Sequence, residues 1–222
     1  MDGLKYTKLR RFSSDVHILE IDLTKRRVDL DRGKVGMLEP VSTIAKIKGA
    51  MAAVNYGFFW TGIDHLGLLI DKSEYIERPN HGIEAVMFKT GHFFVHDIDE
   101  ALLEKLRTEI DWAGGGSFGL TTNGALNLWR KEQYAHFAQR HPRTAIGQRK
   151  DLIMLFVVVD GRSSQSRGVT GRQLANIMLE QKAWDSLNAD GGGSSTLWLG
   201  GKVLNKPSDG KERPVGSVLL VY

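Results

Sequence analysis

Short stretches of apolar residues, either unbroken or alternating with polar residues, recur along most of the chain. Residues 15–23 alternate and residues 27–31 follow a polar turn, so both are predicted strands. Residues 152–159 are continuously apolar, which is typical of a central strand that is covered on both faces. Other strands are predicted at residues 51–54, 67–70, 83–88, 92–96, 110–113, 143–149, 183–187, 197–199 and 217–221. The pattern therefore indicates a protein built mainly of short strands.

Helical spacing of apolar residues is found at a few places. A short helix is predicted to start at Ser42 or Thr43 and to end at Gly49, and another spans residues 97–107. The segment 170–173 forms a capping box ahead of a third helix. Because strands dominate and no repeat or linker interrupts them, we expect residues 1–222 to form a single domain. The expected fold class is α+β, with a mixed or largely antiparallel sheet packed against a few helices.

The composition is that of an ordinary soluble globular protein, with 41% hydrophobic and 25% charged residues. The absence of cysteine excludes disulfides, thiolate metal sites and a cysteine nucleophile. The net charge of +4 is mild and the basic clusters are short, so we expect solvated faces and no nucleic-acid partner. No apolar run approaches the roughly 18 residues of a membrane span. The first residues are polar and show no signal segment, so a cytoplasmic or phage-encoded protein is expected.

The most distinctive stretch, residues 188–196 (NADGGGSST), joins two predicted strands. Its loop contains Gly191, Gly192 and Gly193, followed by Ser194, Ser195 and Thr196. The three glycines permit positive φ and a close approach of the backbone to a ligand. Their N–H groups can form an anion nest, to which the hydroxyls add donors, and Asp190 supplies a carboxylate at the entrance. These groups together indicate a site for a phosphorylated or hydroxyl-rich small molecule, with a tight hairpin as the alternative interpretation.

Other polar residues also lie at the ends of predicted apolar strands, and the strand ends of one sheet cluster in space. Asn55 is suited to orienting a ligand hydroxyl, with an Asx turn as the alternative. Arg143 and Arg213 present the planar fork of donors that binds phosphate, with structural ion pairs as the alternative. Asp160 is a candidate for acid–base chemistry, for metal ligation or for holding Arg143, unless it only forms a turn. His141 lies two residues before Arg143 and is expected to line the same site.

Several common catalytic motifs are absent from the sequence. The glycines match neither the G-x-G-x-x-G dinucleotide fingerprint nor a phosphate loop ending in G-K-[ST]. The serines do not lie in the G-x-S-x-G turn of a nucleophile elbow. The histidines show no metal-ligand spacing on a predicted helix, so no metal site and no cofactor are predicted.

In their order along the chain, these motifs resemble those of the phosphodiester glycosidase family. The segments that carry the resemblance are AVNYGFF at 53–59, AGGG at 113–116, NG at 123–124, PRTAIG at 142–147, VVDGR at 158–162, GVT at 168–170, NADGGGSST at 188–196 and ERPV at 212–215. The resemblance covers the part from about residue 50 to residue 222. It implies hydrolysis of a small-molecule or glycan phosphodiester, in which a sugar is released from its 1-phosphodiester and a phosphate monoester remains. It also adds Gly115 to the residues expected to bind the substrate.

The candidate residues fit the implied chemistry. A phosphate monoester is a good leaving group, so it needs less help from a general acid than an alkoxide does. Arg143, Arg213 and the glycine nest would stabilise the departing phosphate. Asp190 or Asp160 would act as nucleophile or as base for water. We expect Asp190 at the reacting centre, Asn55 on a sugar hydroxyl and Asp160 as an orienting or acid–base partner.

Two alternative functions remain open from the residues alone. A bound Ca²⁺ or Mg²⁺ between Asp160 and Asp190 would support a metal-dependent phosphodiesterase or phosphatase, acting on a nucleotide sugar or a related substrate. A non-catalytic module that binds glycan phosphates is the other alternative, although binding alone would not require the carboxylates. Loss of activity with a chelator would indicate the first alternative, and binding without turnover the second.

Overall fold

The computed structural model describes residues 1–33, 37–59, 65–72, 74–77, 83–96, 98–129 and 134–222. Its strands, in chain order, are β1 (Leu4–Arg11), β2 (Ser14–Asp22), β3 (Val28–Asp31), β4 (Ala52–Asn55), β5 (Phe58–Phe59), β6 (His65–Leu66), β7 (Leu69–Asp71), β8 (Glu74–Glu77), β9 (Ile83–Phe88), β10 (Phe93–His96), β11 (Ile110–Gly116), β12 (Gly119–Thr122), β13 (Ala125–Leu126), β14 (Arg143–Gln148), β15 (Ile153–Val159), β16 (Asp185–Asn188), β17 (Leu197–Leu199), β18 (Lys202–Val203) and β19 (Val218–Val221). Its α-helices are α1 (Val41–Ile47), α2 (Glu100–Leu106) and α3 (Gly171–Glu180).

In the part of the chain that the structure describes, the strands form three larger sheets and a two-stranded ribbon. The largest sheet has the order β1-β2-β15-β14-β16-β12-β13. The other two have the orders β10-β9-β11-β7-β8 and β18-β17-β4-β19-β3. The strand pairs among the described residues are all antiparallel. The prediction of an α+β fold with a largely antiparallel sheet and a few helices is therefore confirmed.

The hydrophobic core lies between the three larger sheets. One continuous cluster contains Leu19 and Phe156 of the largest sheet, Trp112 of β11, and Val54 and Leu219 of the third sheet, all of them buried. Alternate residues of β2 and β15 face the other way and form a second cluster with α3. The period of two in a strand thus places one set of side chains against the other sheets and the next set against the helix. Among the helices that the structure describes, none is long and apolar enough to cross a membrane.

The capping box predicted ahead of α3 is confirmed. The Thr170 hydroxyl accepts a hydrogen bond from the backbone N–H of Gln173, and the Gln173 side chain accepts one from the backbone N–H of Thr170. These two bonds satisfy N–H groups that have no partner inside the helix. Both groups lie within one turn, so the signal could be recognised without knowledge of the tertiary structure.

The cap predicted for α1 is wrong. Pro40 is the N-cap residue of this helix, without a side-chain hydrogen bond, and the helix begins at Val41. Ser42 instead uses its hydroxyl and backbone N–H to contact the Glu212 carboxylate, which is distant in sequence. The predicted helix at 97–107 is α2, and Asp99 caps it by accepting from Leu102 N–H at 2.7 Å. Residue 97 lies outside the described residues.

The first strand of the structure, β1, was not predicted from the apolar pattern. It is the edge strand of the largest sheet, and most of its residues are exposed or half-buried. Its charged side chains pair with β2 across the ladder, as between Lys5 and Glu20 and between Lys8 and Asp15. A strand that is stabilised mainly by its neighbour carries little apolar periodicity, so the sequence pattern could not reveal it.

The register of the largest sheet brings the candidate residues to one edge. β14 lies antiparallel between β15 and β16, with Arg143 opposite Val159 and Ala145 opposite Asn188. The start of β14 therefore lies beside the ends of both neighbours. Arg143 at that start, Asp160 just after β15 and Asp190 just after β16 consequently belong to the same edge of the sheet.

Candidate active site

A cavity of about 200 Å³ opens where the start of β14 lies beside the end of β16. Its described lining residues are Phe58, His136, His141, Pro142, Arg143, Arg162, Asn188, Asp190, Gly191, Gly192 and Arg213. Among these lining residues, Asp190 is the one carboxylate, and three are arginines. The cavity thus combines a lone acid with an excess of positive charge.

Asp190 is held at the entrance of the glycine loop. Its backbone N–H donates to Tyr56 O at 2.8 Å, and its carboxylate accepts from the backbone N–H of Gly191 at 2.8 Å. Burial raises the pKa of Asp190 to about 6, while the neighbouring Ser194, the Gly191 N–H and Arg213 lower it in part. At neutral pH the carboxylate is ionised and poorly solvated, which makes it a reactive base or nucleophile.

Each glycine of the loop lies against a different neighbour and leaves little or no room for a side chain. A Cβ on Gly191 would lie 2.9 Å from Pro142 O. Gly192 has a φ of +65°, and a Cβ there would lie 3.1 Å from an Nη2 atom of Arg162. At Gly193 a Cβ would overlap the paired side chains of Asp209 and Arg213. The glycines thus leave room for a backbone carbonyl at Gly191 and for arginine side chains at Gly192 and Gly193.

The three arginines differ in how they are held. Arg143 is buried and donates to three backbone carbonyls, those of Val169, His136 and Gln139, at 3.2, 2.7 and 3.1 Å. Burial lowers its pKa to about 10, so it stays protonated at neutral pH. Arg213 pairs with Asp209 at 2.7 Å, whereas no described residue supplies a carboxylate to Arg143 or Arg162.

Two histidines complete the wall of the cavity on the Arg143 side. His141 was expected from its position in the sequence and lines the cavity, and His136 joins it from a 3-10 turn. Burial and the charge of Arg143 lower the pKa of both imidazoles. Both rings are therefore neutral at neutral pH and can donate or accept a hydrogen bond without adding charge.

Asn55 lies below the cavity and does not line it. Its Nδ2 donates to Asp190 O at 2.6 Å, and its Oδ1 accepts from Thr144 Oγ1 at 2.8 Å and from Thr196 N at 3.0 Å. The side chain is fully buried. Its hydrogen bonds thus fasten both ends of the glycine loop to β4 and β14, a use of the amide that differs from the predicted contact with a sugar hydroxyl.

Asp160 also lies behind the cavity. It is 4% exposed, its Oδ1 accepts from the backbone N–H of Lys206 at 2.9 Å, and its Oδ2 lies 3.3 Å from Nε2 of His17. It is not among the residues that line the cavity. Asp160 does not hold Arg143, whose donors are taken by three backbone carbonyls. Its contacts with His17 and with the backbone of Lys206 suit an orienting role for another segment.

The remaining predicted residues are not among those that line the cavity. Gly193, Ser194, Ser195 and Thr196 are buried in the second half of the loop. Within the described residues, the hydroxyls of Ser194, Ser195 and Thr196 have no hydrogen-bond partner of good geometry. Gly115 lies in β11, where its N–H donates to Leu68 O and a Cβ would lie 3.1 Å from Gly67, so close packing accounts for this glycine.

Besides the lining residues Phe58 and Pro142, four polar residues of this region were not predicted from the sequence. Arg162, His136 and Asn188 line the cavity, and His17 contacts Asp160. Arg162 and Asn188 stand two residues from predicted aspartates, so position along the motif was an available signal. The Oδ1 of Asn188 has no partner among the described residues, and its Nδ2 donates to Ala189 O at 2.8 Å. Nothing in the sequence distinguishes His17 from a core residue of its strand.

The geometry gives no support to a metal held between the two aspartates. Asp160 already uses both oxygens for protein contacts. Across the described part of the chain, no group of three or more histidine, aspartate or glutamate side chains could hold a metal ion. The residues that converge on the cavity are mainly cationic, which suits an anionic ligand.

Known proteins resemble this chain in sequence and in fold. The family model described as phosphodiester glycosidase matches residues 48–222. An uncharacterised SPbeta prophage-derived protein of Bacillus subtilis, YomE, is 30% identical over 191 residues, which are 82% of this chain and 29% of YomE. The human N-acetylglucosamine-1-phosphodiester alpha-N-acetylglucosaminidase is 43% identical over 68 residues, which are 30% of this chain and 13% of that enzyme. The chain thus spans less than a third of the length of these relatives.

Solved structures share the fold. The catalytic domain of the zebrafish N-acetylglucosamine-1-phosphodiester alpha-N-acetylglucosaminidase superposes with a TM-score of 0.81 at 22% identity, covering 99% of this chain and 82% of that one. A hypothetical protein from Synechocystis superposes with a TM-score of 0.82 at 15% identity, covering 98% of this chain and 61% of that one. At such identities the likeness shows the fold alone, but the family model matches most of the chain. The chain therefore belongs to the phosphodiester glycosidase family, as the sequence motifs predicted.

Proposed function

We propose that this protein is a hydrolase that cleaves the bond between the anomeric carbon of a sugar and the oxygen of a 1-phosphodiester. The observation that carries the proposal is the cavity, in which one carboxylate of raised pKa faces three arginines. Membership of the family supports action on phosphodiester-linked sugars. The names of the mammalian and zebrafish relatives support N-acetylglucosamine as the first sugar to test.

The charges of the cavity suit the course of this reaction. Arg213 is balanced by Asp209, and Arg143 and Arg162 outweigh the single charge of Asp190, which leaves one positive charge in excess. A phosphodiester carries one negative charge, and the departing monoester gains a second. The attraction therefore grows as the bond breaks, which is the condition for stabilising the transition state more than the substrate.

Asp190 would act on the sugar rather than on the leaving group. Its pKa of about 6 leaves it ionised at neutral pH, so it can stabilise positive charge at the anomeric carbon and attack it or deprotonate water. The departing phosphate needs no proton because the arginines neutralise it. In this scheme Asp190 forms or directs the new bond, and the electron pair of the broken C–O bond leaves with the phosphate oxygen.

The test is sugar release from a panel of α-sugar-1-phosphodiesters in water labelled with heavy oxygen. The panel includes methyl N-acetylglucosamine-1-phosphodiester and nucleotide sugars, each with and without a chelator. We expect free sugar that carries the label, at equal rates with and without the chelator. P–O cleavage would instead place the label in a phosphate group, either as labelled sugar-1-phosphate or as a labelled monoester beside unlabelled sugar. That result would refute the proposal and favour a phosphodiesterase. Tight binding without any product would favour the binding module instead.

A further inference from the structure

The Asp160 carboxylate is the buried centre of a chain of polar groups that the reaction scheme does not use. On one side, His17 Nε2 lies 3.3 Å from Asp160 Oδ2, and His17 Nδ1 lies 2.8 Å from the Tyr6 hydroxyl. On the other side, Asp160 Oδ1 accepts from the backbone N–H of Lys206 at 2.9 Å. His17 is 1% exposed. Because hydrogen bonds are stronger in the low dielectric of a buried site than in water, this chain of groups can hold a loop firmly.

The loop held by Asp160 connects β18 to β19, and its residues 204–213 are called here the arginine loop. A second anchor of this loop is Asn205, whose side chain accepts from Leu197 N at 2.8 Å and donates to Ser195 O at 2.9 Å. Beyond these anchors the loop carries Asp209 and Arg213, whose paired side chains lie directly over Gly193. On its other side Arg213 is held by Glu212, which accepts from Ser42, and by the bridge between Val215 and Glu39. The position of Arg213 in the cavity is thus fixed from both ends of the loop, and Asp160 holds the first end.

Asp160 is connected to a second arginine as well. Arg162 follows it by two residues, lines the cavity, and places Nη1 3.5 Å from the hydroxyl of Ser208 in the arginine loop. The end of β15 is thus linked to both arginines that lie on the glycine loop, to Arg162 along the chain and to Arg213 through the arginine loop.

We propose that Asp160, supported by His17, is a positioning residue that holds Arg213 and Arg162 over the glycine loop through the backbone N–H of Lys206. The proposal rests on the proposed function only in taking the cavity for a phosphate-binding site. His17 lies in β2, ahead of the residues 48–222 that the family model matches. This strand thus contributes to the site without touching the ligand.

A positioning role and an acid–base role predict different results for two substitutions. In Asp160→Asn, Oδ1 still accepts from Lys206 N–H, and Nδ2 can donate to His17 if the imidazole proton moves to Nδ1. The Tyr6 hydroxyl, which is 37% exposed with its residue, can then accept that proton's hydrogen bond and turn its own hydrogen to water. In Asp160→Ala both contacts are lost. If Asp160 is a positioning residue, Asn can therefore take over its function and Ala cannot. If Asp160 is an acid–base residue, both substitutions abolish its function.

The experiment measures the Kd of N-acetylglucosamine 1-phosphate by calorimetry, which requires no turnover. The variants are Asp160→Asn, Asp160→Ala, Arg213→Ala and the double variant Asp160→Ala/Arg213→Ala. Asp185→Ala is the matched control, because Asp185 is another buried carboxylate but lies at the opposite end of β16. We expect about the wild-type Kd for Asp160→Asn and Asp185→Ala, and a Kd raised about tenfold or more for Asp160→Ala. The double variant should lose less affinity than the sum of the two single losses, because both changes disturb the contact that Arg213 makes.

Several outcomes would overturn the proposal. Equal loss in Asp160→Asn and Asp160→Ala, or additive losses in the double variant, would mean that Asp160 acts without the arginine loop. If Asp160→Ala does not fold, Lys206→Pro removes the same N–H while leaving the carboxylate intact, and it should raise the Kd similarly. Unchanged affinity in Lys206→Pro would also refute the mechanism. Failure of wild type to bind the ligand would refute the phosphate site itself, whereas release of the wrong labelled product would refute only the proposed reaction.

Discussion

Replacement of Asp190 by Asn should make the protein more stable at neutral pH while abolishing its activity. The pKa of Asp190 is raised from 3.8 to about 6 because its carboxyl is buried. Each unit of pKa corresponds to about 1.36 kcal/mol, so the ionised form costs up to about 3 kcal/mol of folding free energy. Asn has the same shape and its Oδ1 can keep the hydrogen bond from Gly191 N–H, so the substitution removes the cost of the charge and little else.

The sign of the pH dependence follows from proton binding. Between pH 3.8 and about 6 the folded protein holds the proton of Asp190 more tightly than the unfolded chain does. The contribution of Asp190 to stability therefore falls as pH rises through this window, and the full cost is present above it. The advantage of Asp190→Asn should accordingly be greatest at pH 7–8 and should vanish near pH 4.

Thermal unfolding of both proteins between pH 4 and pH 8 provides the assay. For a chain of this length, about 1 kcal/mol shifts Tm by about 2–4 °C, so the upper limit of the difference at pH 8 is about 6–12 °C. Asp190→Ala serves as a control, because it removes the charge together with the hydrogen bond and should gain less. A Tm for Asp190→Asn that is equal to or below that of wild type at pH 8 would refute the reasoning. The expected result is a trade between stability and activity at a buried reacting group.

Three further predictions concern activity. The value of kcat/KM should rise with pH and level off above an apparent pKa of about 6, since Asp190 acts ionised; a fall above pH 6 in a rate assay would assign it as a general acid. Gly193→Ala should raise KM about tenfold or more by displacing Arg213, and a binding assay that shows wild-type affinity would contradict this. Arg143→Lys should lower kcat/KM at least about tenfold, because an ammonium cannot reproduce the guanidinium fork that contacts three backbone carbonyls. Wild-type kinetics of this variant would show that the guanidinium fork is unimportant.

Much of the framework could be predicted because its signals are local. The apolar run at 152–159 became β15 in the middle of the largest sheet, and the box at Thr170 caps α3. Residues 188–196 form the loop that carries Asp190, as the three consecutive glycines indicated. These features depend on the periodicity of apolar residues and on interactions between groups a few residues apart. Both can be read directly from the sequence.

The tertiary structure decided which of the predicted polar residues face a ligand. Asn55 and Asp160 each lie at the end of a strand, as Asp190 nearly does. Their side chains, however, form hydrogen bonds with distant segments, Asn55 with Thr196 and Asp160 with Lys206. Antiparallel pairing of β14 with both neighbours assembled the cavity, and burial there set the pKa of Asp190. The sequence by itself thus determined the predicted strands, the glycine loop and the types of side chain available for binding and catalysis. Only long-range contacts determined exposure, hydrogen-bond partners and solvation, because these depend on which chain segments meet in space.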